Sequence, residues 1–472
     1  MSRLSGLYGR LPVPLQHAAV TAYGLRWRWL RLGPGYRDAS AGFVGREWWP
    51  AERWASWQRD RVAEVLREAV ERVPHYREAW DRAEQRAAVA GDLAGVPLLD
   101  KEPLRVDPAR FLDRRRRPRR ALVFHTSGST GTPITTYWTV EELRMSMALR
   151  EARSARWAGV SFSMPRATFS GRLAEPRPDR ITTPYRYNAA ERQVYLSPFH
   201  LRPDTAVHYV SALRRHRTEW ATGYAASFGT LARFCLDAGI ETPRLRAVIT
   251  TSERLTATVR GAVGDAFGCR VYEEYSTVEN CAFASECEHG SLHVSPECGF
   301  VEILAPDGSP AEPGQVGEIV ATTLLRRYQP LVRFRLGDLA AWSPEPCRCG
   351  RESPVLEQIV GRLEDTVTGS DGREMVRLDQ VFNALPHVLA GQIVRHAPDR
   401  YTVRVVAVNG FGDAQVEEIS RRMRQRLGEV AVEVRTGEAL ECGPGGKVLG
   451  LIDRASAITP IGREEGLGPP TF

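Results

Sequence analysis

A run of nine residues, His125-Thr126-Ser127-Gly128-Ser129-Thr130-Gly131-Thr132-Pro133, constrains this chain more than any other stretch. Gly128 and Gly131 reach backbone angles that other residues resist, so successive N–H groups can turn inward and face one anion. The hydroxyls of Ser127, Ser129, Thr130 and Thr132 offer further donors. Ala121-Leu122-Val123-Phe124 before the run and Ile134 to Trp138 after it are apolar and β-branched, which predicts strand, loop, strand. The familiar P-loop is excluded, because it needs a lysine after its last glycine and a helix beyond; here Thr132 and Pro133 follow Gly131. The bland alternative is a polar hairpin turn.

The octapeptide from Thr126 to Pro133 resembles the adenylate-forming enzymes, which include acyl-CoA synthetases and luciferases. Within them it is most similar to the phenylacetate-CoA ligase branch and its CapK-like relatives. The resemblance implies an α/β fold: a large N-terminal domain with mostly parallel sheets flanked by helices, an antiparallel β portion, and a small mobile α+β C-terminal domain. It implies ATP with Mg2+, and residues 126–132 as the cradle of the β- and γ-phosphates.

At 472 residues the chain exceeds one typical domain, so a large body with a smaller unit is expected. Its 43% hydrophobic and 26% charged residues are ordinary for a globular protein. No apolar run approaches the roughly 18 residues of a membrane span, and Pro12, Pro14, Gln16 and His17 interrupt any signal-like core, so a cytoplasmic protein is expected. The net charge of +7 and the run Arg114 to Arg120 suggest a phosphate patch, but no nucleic-acid module accompanies them and a solvated loop is expected. The aromatic-rich segment Tyr23 to Arg31 can touch a membrane surface or dock on the body; docking is the expectation. Of 64 basic residues only Lys101 and Lys447 are lysines. A compact ammonium suits a crowded reaction centre better than a planar guanidinium, which singles out Lys447 in the loop Gly443-Pro444-Gly445-Gly446-Lys447; Lys101, at a helix start, reads as structural.

Along the chain, Trp54, Trp57, Val62, Leu66 and Val70 recur at helical spacing, and Thr139 to Glu142 form a capping box that opens a helix to about Trp157. Helix and strand then alternate, with helices at about 203–215 and 226–238 around the strand Leu245 to Glu253, as in a largely parallel sheet whose carboxyl ends form a ligand crevice. On the family pattern, His200 in Ser197-Pro198-Phe199-His200 lies between nucleotide and acyl pocket, and the loop with Ser252 and Glu253 meets the adenine. Tyr275 offers a stacking face, Glu279 an oxygen ligand for magnesium, and Asp338, after Gly337 at an expected strand end, an acceptor for ribose hydroxyls. Ser276 and Val278 depart from the pattern, where glycine and a hydroxyl are usual. Gly361-Arg362-Leu363-Glu364-Asp365 resembles the family hinge, with Arg362 beside ribose and neighbouring oxygens. The expected division is therefore 1–361, binding ATP and acid, and 362–472, an α+β lid in which strands flank a helix over about 413–427 and which carries the catalytic Lys447.

Eight cysteines in a chain read as unsecreted argue for thiols or metal rather than disulfides. Cys287, His293, Cys347 and Cys349 would give three thiolates and one imidazole, a closed tetrahedral zinc set without an open position. His289 is the alternative imidazole, and free thiols are the alternative to metal. Similar sets occur in some phenylacetate-CoA ligase relatives.

The expected activity is an ATP-dependent carboxylic-acid ligase that forms an acyl-adenylate, releases pyrophosphate and passes the acyl group to a thiol, with coenzyme A foremost. The alternatives are a carrier-protein thiol, an amine or hydroxyl acceptor, transfer of AMP itself, and, least favoured, an inactive binding protein. The acid is a small one, aromatic or short only by analogy with the relatives. A homodimer is compatible with these readings, and no nucleic-acid partner is expected.

Overall fold

The computed structural model describes residues 8–126, 133–171, 183–362, 366–368, 374–376, 381–382, 385–407, 409–437, 440–442 and 448–455. The chain falls into two compact units. One gathers Met1–Gly24, Ser163–Val271 and Arg362–Leu467, and the other gathers Leu25–Phe162 and Tyr272–Gly361, each as far as its residues are described. The passage between Gly361 and Arg362 is one of the places where the chain changes unit.

The first unit holds the parallel sheet. Gln193–Leu196, Arg166–Phe169, Trp220–Tyr224 and Ala247–Thr251 lie side by side in parallel, and Tyr185–Asn188 adds an antiparallel edge. Every residue of Gln193–Leu196, Trp220–Tyr224 and Ala247–Thr251 is buried, as expected of strands covered on both faces. The helices Ala206–Arg215, Ala225–Asp237 and Ala257–Phe267 supply Tyr209, Phe228, Leu231 and Val263 to its core. Gly223, at φ +137°, meets its parallel neighbour so closely that a Cβ would stand 1.9 Å from the Phe169 carbonyl oxygen. Only glycine fits there.

The C-terminal part of the same unit is a four-stranded sheet in the order Ala431–Thr436, Arg400–Ala407, Val388–Ala397, Leu451–Asp453. Its middle pair is antiparallel and both outer pairs are parallel. The predicted helix over 413–427 is the observed Asp413–Leu427, and it buries Ile419, Met423 and Leu427 at four-residue spacing against Ile393, Tyr401 and Val403. Each such aliphatic side chain contributes about 1.5–3 kcal/mol of burial.

In the second unit Ala51–Arg72 buries Trp54, Val62, Val65, Leu66 and Ala69 along one stripe. The antiparallel strands Gly299–Leu304, Gly317–Thr323 and Phe334–Trp342 pack under this helical layer, and Phe283–Glu286, Leu292–Val294 and Val355–Arg362 form a second antiparallel run. The capping box is present as read: Thr139 Oγ1 accepts from Glu142 N–H and a Glu142 carboxylate oxygen accepts from Thr139 N–H. The helix it opens runs to Trp157, as predicted, with one π-turn over Glu151–Ala155 inside it. Arg114 to Arg117, Arg119 and Arg120 are exposed, as a solvated loop requires. Among the described residues no helix is long and apolar enough to cross a membrane.

Candidate functional site

The strands Leu122–His125 and Thr135–Trp138 pair antiparallel, with His125 opposite Thr135, which is the strand-loop-strand context that the apolar, β-branched flanks predicted. Thr126 N–H donates to the Ile134 carbonyl (3.0 Å) and Ile134 N–H donates to Thr126 Oγ1 (2.9 Å), so this pair closes the base of the loop. Ser127, Gly128, Ser129, Thr130, Gly131 and Thr132 lie outside the described residues, as do Lys447 and the side chain of Arg362.

In the same unit the structure brings Tyr275 and Asp338 together. The Tyr275 hydroxyl donates to Asp338 Oδ2 at 2.7 Å, although 63 positions separate them. Asp338 follows Gly337 (φ +74°) inside the strand Phe334–Trp342, not at a strand end as the sequence suggested. Glu279 is 7% exposed, and beside it Asn280 holds a left-handed backbone (φ +50°). That conformation costs of order 1 kcal/mol for a residue with a Cβ and recurs at functional positions. The Thr277 hydroxyl and Asn280 Nδ2 are buried with no hydrogen-bond partner among the described residues. Each would cost about 1–3 kcal/mol if left unpaired, so they mark a face of the protein that expects polar company.

Arg326 fixes this region and was missed in the sequence. Its fully buried guanidinium donates to the Glu279 carbonyl (2.6 Å) and to the Tyr137 carbonyl (2.6 Å), and lies 4.4 Å from the Trp138 ring centroid. Burial pulls its pKa down, while the Glu142 carboxylate, Cys281 and Glu279 pull it back up. One side chain thus ties the strand leaving the glycine loop to the residue expected to hold magnesium. Glu142 Oε1 in turn accepts from the N–H groups of Arg327 and Tyr328, both at 2.7 Å, and fixes the turn that presents Arg326. Replacing Arg326 by methionine keeps the apolar stem but strands two buried carbonyls. A loss of about 3 kcal/mol is expected, read as a lower urea midpoint at unchanged slope. Lysine at 326 should restore little, because one ammonium cannot reproduce the guanidinium fork.

In the other unit the carboxyl ends of the parallel strands carry a second group of predicted residues. Ser252, exposed, follows Ala247–Thr251 with φ +70°, another left-handed residue at a predicted binding position. Glu253 caps the N-terminus of Ala225–Asp237 through Ala226 N–H (2.9 Å) and accepts from Val448 N–H (3.3 Å). Val448 follows Lys447 directly and pairs antiparallel with Cys442, so the backbone on the far side of Lys447 is anchored to the Ser252–Glu253 loop. Burial and the Glu253 carboxylate push the Tyr224 phenol up to about 12, leaving it a neutral hydroxyl that accepts from Gly171 N–H. Ser170 Oγ and Thr251 Oγ1, at the ends of two parallel strands, are buried without a partner among the described residues. His200 is buried in the turn Pro198–His200, with Nδ1 2.9 Å from Ser197 Oγ and its carbonyl accepting from Thr205 Oγ1.

The cysteine set converges in the second unit. The ligand atoms of Cys287, His293, Cys347 and Cys349 all lie within 4.8 Å of one another. Cys287 Sγ is 3.6 Å from Cys347 Sγ, and Cys349 Sγ is 3.3 Å from His293 Nε2. A tetrahedron with Zn–S bonds of about 2.3 Å has edges of about 3.8 Å, so the donor set fits zinc. Each sulfur also accepts a backbone N–H from two residues onward, from His289, Cys349 and Arg351. His293 Nδ1 faces Ser353 Oγ at 3.1 Å, which leaves Nε2 for a metal, and burial pushes its pKa down to about 4, keeping the ring neutral. Of the two imidazoles, His293 stands in the cluster, whereas His289 is exposed and outside it. Arg351, bonded to Glu47 and Glu288, braces the same loop.

No family model matches the chain. Among curated proteins it is 24% identical to protein CapK of Staphylococcus aureus over 339 residues, covering 70% of this chain and 72% of CapK. It is 27% identical to the phenylacetate-coenzyme A ligase of Thermus thermophilus over 415 residues, covering 83% of this chain and 86% of that enzyme. Among solved structures it resembles 2-hydroxyisobutyryl-CoA ligase in the postadenylation state with R3-HIB-AMP, at TM-score 0.64 and 21% identity over 86% of this chain and 91% of that one. An open conformation of the same ligase with 2-HIB-AMP and CoA gives TM-score 0.53 at 22% identity, over 84% and 91%. In sequence the chain is thus similar to CapK and phenylacetate-coenzyme A ligase, and it shares its fold with 2-hydroxyisobutyryl-CoA ligase.

Proposed function

We propose that this protein activates a small carboxylic acid with ATP, releasing pyrophosphate, and then transfers the acyl group from its adenylate to coenzyme A. The observation that carries the reading is the surroundings of Glu279: a buried carboxylate, strained backbone at Asn280, and two buried polar atoms without partners, tied by Arg326 to the strand that leaves the Ser/Thr/Gly loop. The relatives named phenylacetate-CoA ligase and the fold shared with a ligase bound to an acyl-AMP and CoA support it.

Joining a carboxylate to the α-phosphorus brings two anions together, so catalysis is positioning and charge neutralisation. Thr126 to Thr132 would donate to the β- and γ-phosphates. Glu279 would hold magnesium, which, bound there with ATP, would supply positive charge against the phosphates. Tyr275 would pack on the base, Ser252 and Glu253 would meet the adenine edge, and Asp338 would accept from the ribose hydroxyls. Arg362 would reach the same oxygens, and His200 would stand toward the acyl pocket. Lys447, on the 362–472 portion, would bridge the carboxylate and α-phosphate, then withdraw as that portion turns about the Arg362 hinge and admits the thiol. The Cys287, His293, Cys347 and Cys349 cluster would hold a structural zinc, since four protein donors leave no place for water.

The test is exchange of labelled pyrophosphate into ATP with a panel of carboxylic acids, followed by CoA. Acid-dependent exchange and a CoA thioester are expected. Exchange without thioester would redirect the acyl group to an amine, hydroxyl or carrier thiol, and absence of exchange with every acid would remove the adenylation reading.

A further inference from the structure

The helix Val13–Leu32 keeps an apolar face outside the protein. Docking on the body, the expectation from sequence, holds for one side only: Gln16, Trp27 and Leu30 are buried, while Leu15 is 53%, Leu25 61% and Trp29 60% exposed. Leu15, Ala18, Ala22, Leu25 and Trp29 follow one another at three- and four-residue steps, so they form a single outward stripe, and Ala18, Ala19 and Ala22 are exposed along it. Four of the ten exposed large hydrophobic residues among those described, Tyr23 included, lie on this one helix. Such concentration is unusual for a surface where apolar residues are normally scattered singly.

The charge around the stripe says what covers it. Residues 1–37 contain six arginines, at 3, 10, 26, 28, 31 and 37, and no aspartate or glutamate. Arg26 and Arg28 are exposed beside Leu25 and Trp29, and Arg144 places a further guanidinium 4.9 Å from the Trp29 ring centroid. A second copy of the chain laid stripe to stripe would gather the arginines of both helices along one seam with no acidic residue on either helix, which like-charge repulsion opposes. Apolar side chains including tryptophan, edged by arginine on an otherwise folded helix, match an anionic lipid surface: the rings and aliphatic chains enter the headgroup boundary and the guanidinium groups meet phosphate. We infer that Val13–Leu32 seats this protein on anionic membranes as a peripheral, in-plane helix.

The full-length protein is tested by co-sedimentation with vesicles of phosphatidylcholine alone and of phosphatidylcholine mixed with phosphatidylglycerol. Binding to the anionic vesicles at least about tenfold tighter than to the neutral ones is expected, weakening in about 0.5 M salt. The double variant L25E/W29E and the charge variant R26E/R28E should each lose most of that binding. All four side chains are exposed, so circular dichroism and thermal unfolding should match the parent. No binding to anionic vesicles, or binding indifferent to L25E/W29E, overturns the inference. A dimer that L25E/W29E splits, without vesicle binding, also overturns it by assigning the stripe to a second copy.

Discussion

Lys447→Ala should abolish formation of the acyl-adenylate while sparing the second half of the reaction. The chain holds two lysines among 64 basic residues, and one of them follows three glycines and a proline at 443–446. Val448 N–H on Glu253 and the Cys442–Val448 pairing anchor the backbone immediately beyond it beside the loop expected to meet the adenine. An ammonium placed between the attacking carboxylate and the α-phosphate stabilises charge that exists only as the two approach. Removing such a group from an enclosed site costs about two to three orders of magnitude in rate. Pyrophosphate exchange with an accepted acid should fall by that factor in Lys447→Ala, and Lys447→Arg should recover little of it, since a planar fork does not replace a point charge. Thioester formation from preformed acyl-adenylate and CoA should stay within a few-fold of the parent. Equal loss in both half-reactions would take Lys447 out of its proposed role.

What the sequence revealed, and what it hid, divides along a physical line. Local periodicity and capping chemistry were legible: Asp413–Leu427 and the Thr139–Glu142 box are set by residues within one or two turns of each other. So was the donor set Cys287, His293, Cys347 and Cys349, because few residue types bind zinc. Arg326 was not, since it acts on two backbone carbonyls, 47 and 189 positions away, and a carbonyl leaves no mark on the residue that carries it. The same holds for Arg351, whose partner Glu47 is 304 positions distant. In the sequence Arg326 is followed directly by Arg327, Tyr328 and Gln329, a polar run before Pro330 that reads as a surface turn, so its neighbours do not mark it as buried. The helix Val13–Leu32 shows the opposite failure: its aromatic residues look uniform in sequence, and only packing separates inward Trp27 from outward Trp29.

The largest stability effect is expected at the cysteine cluster. The protein should purify from zinc-containing medium with about one zinc per chain, and Cys347→Ser/Cys349→Ser should remove it. Structural zinc in small sites binds with apparent free energies of about 10–16 kcal/mol near neutral pH, and binding available only to the folded chain adds to its stability. Here hydrophobic packing holds much of the same unit, with Cys287 and His293 on an antiparallel hairpin that pairs through Leu292 and Glu286. The expected loss is therefore a fraction of that range, about 4 kcal/mol, or roughly a 10 °C fall in the unfolding temperature. His293→Ala should behave like the double cysteine variant, whereas His289→Ala, at an exposed position outside the cluster, should keep both metal and stability. Cobalt in place of zinc should show the strong visible bands of a tetrahedral thiolate site in the parent and in His289→Ala alone. A metal-free parent whose unfolding temperature is indifferent to both chelator and added zinc would return the four residues to free thiols and a buried imidazole.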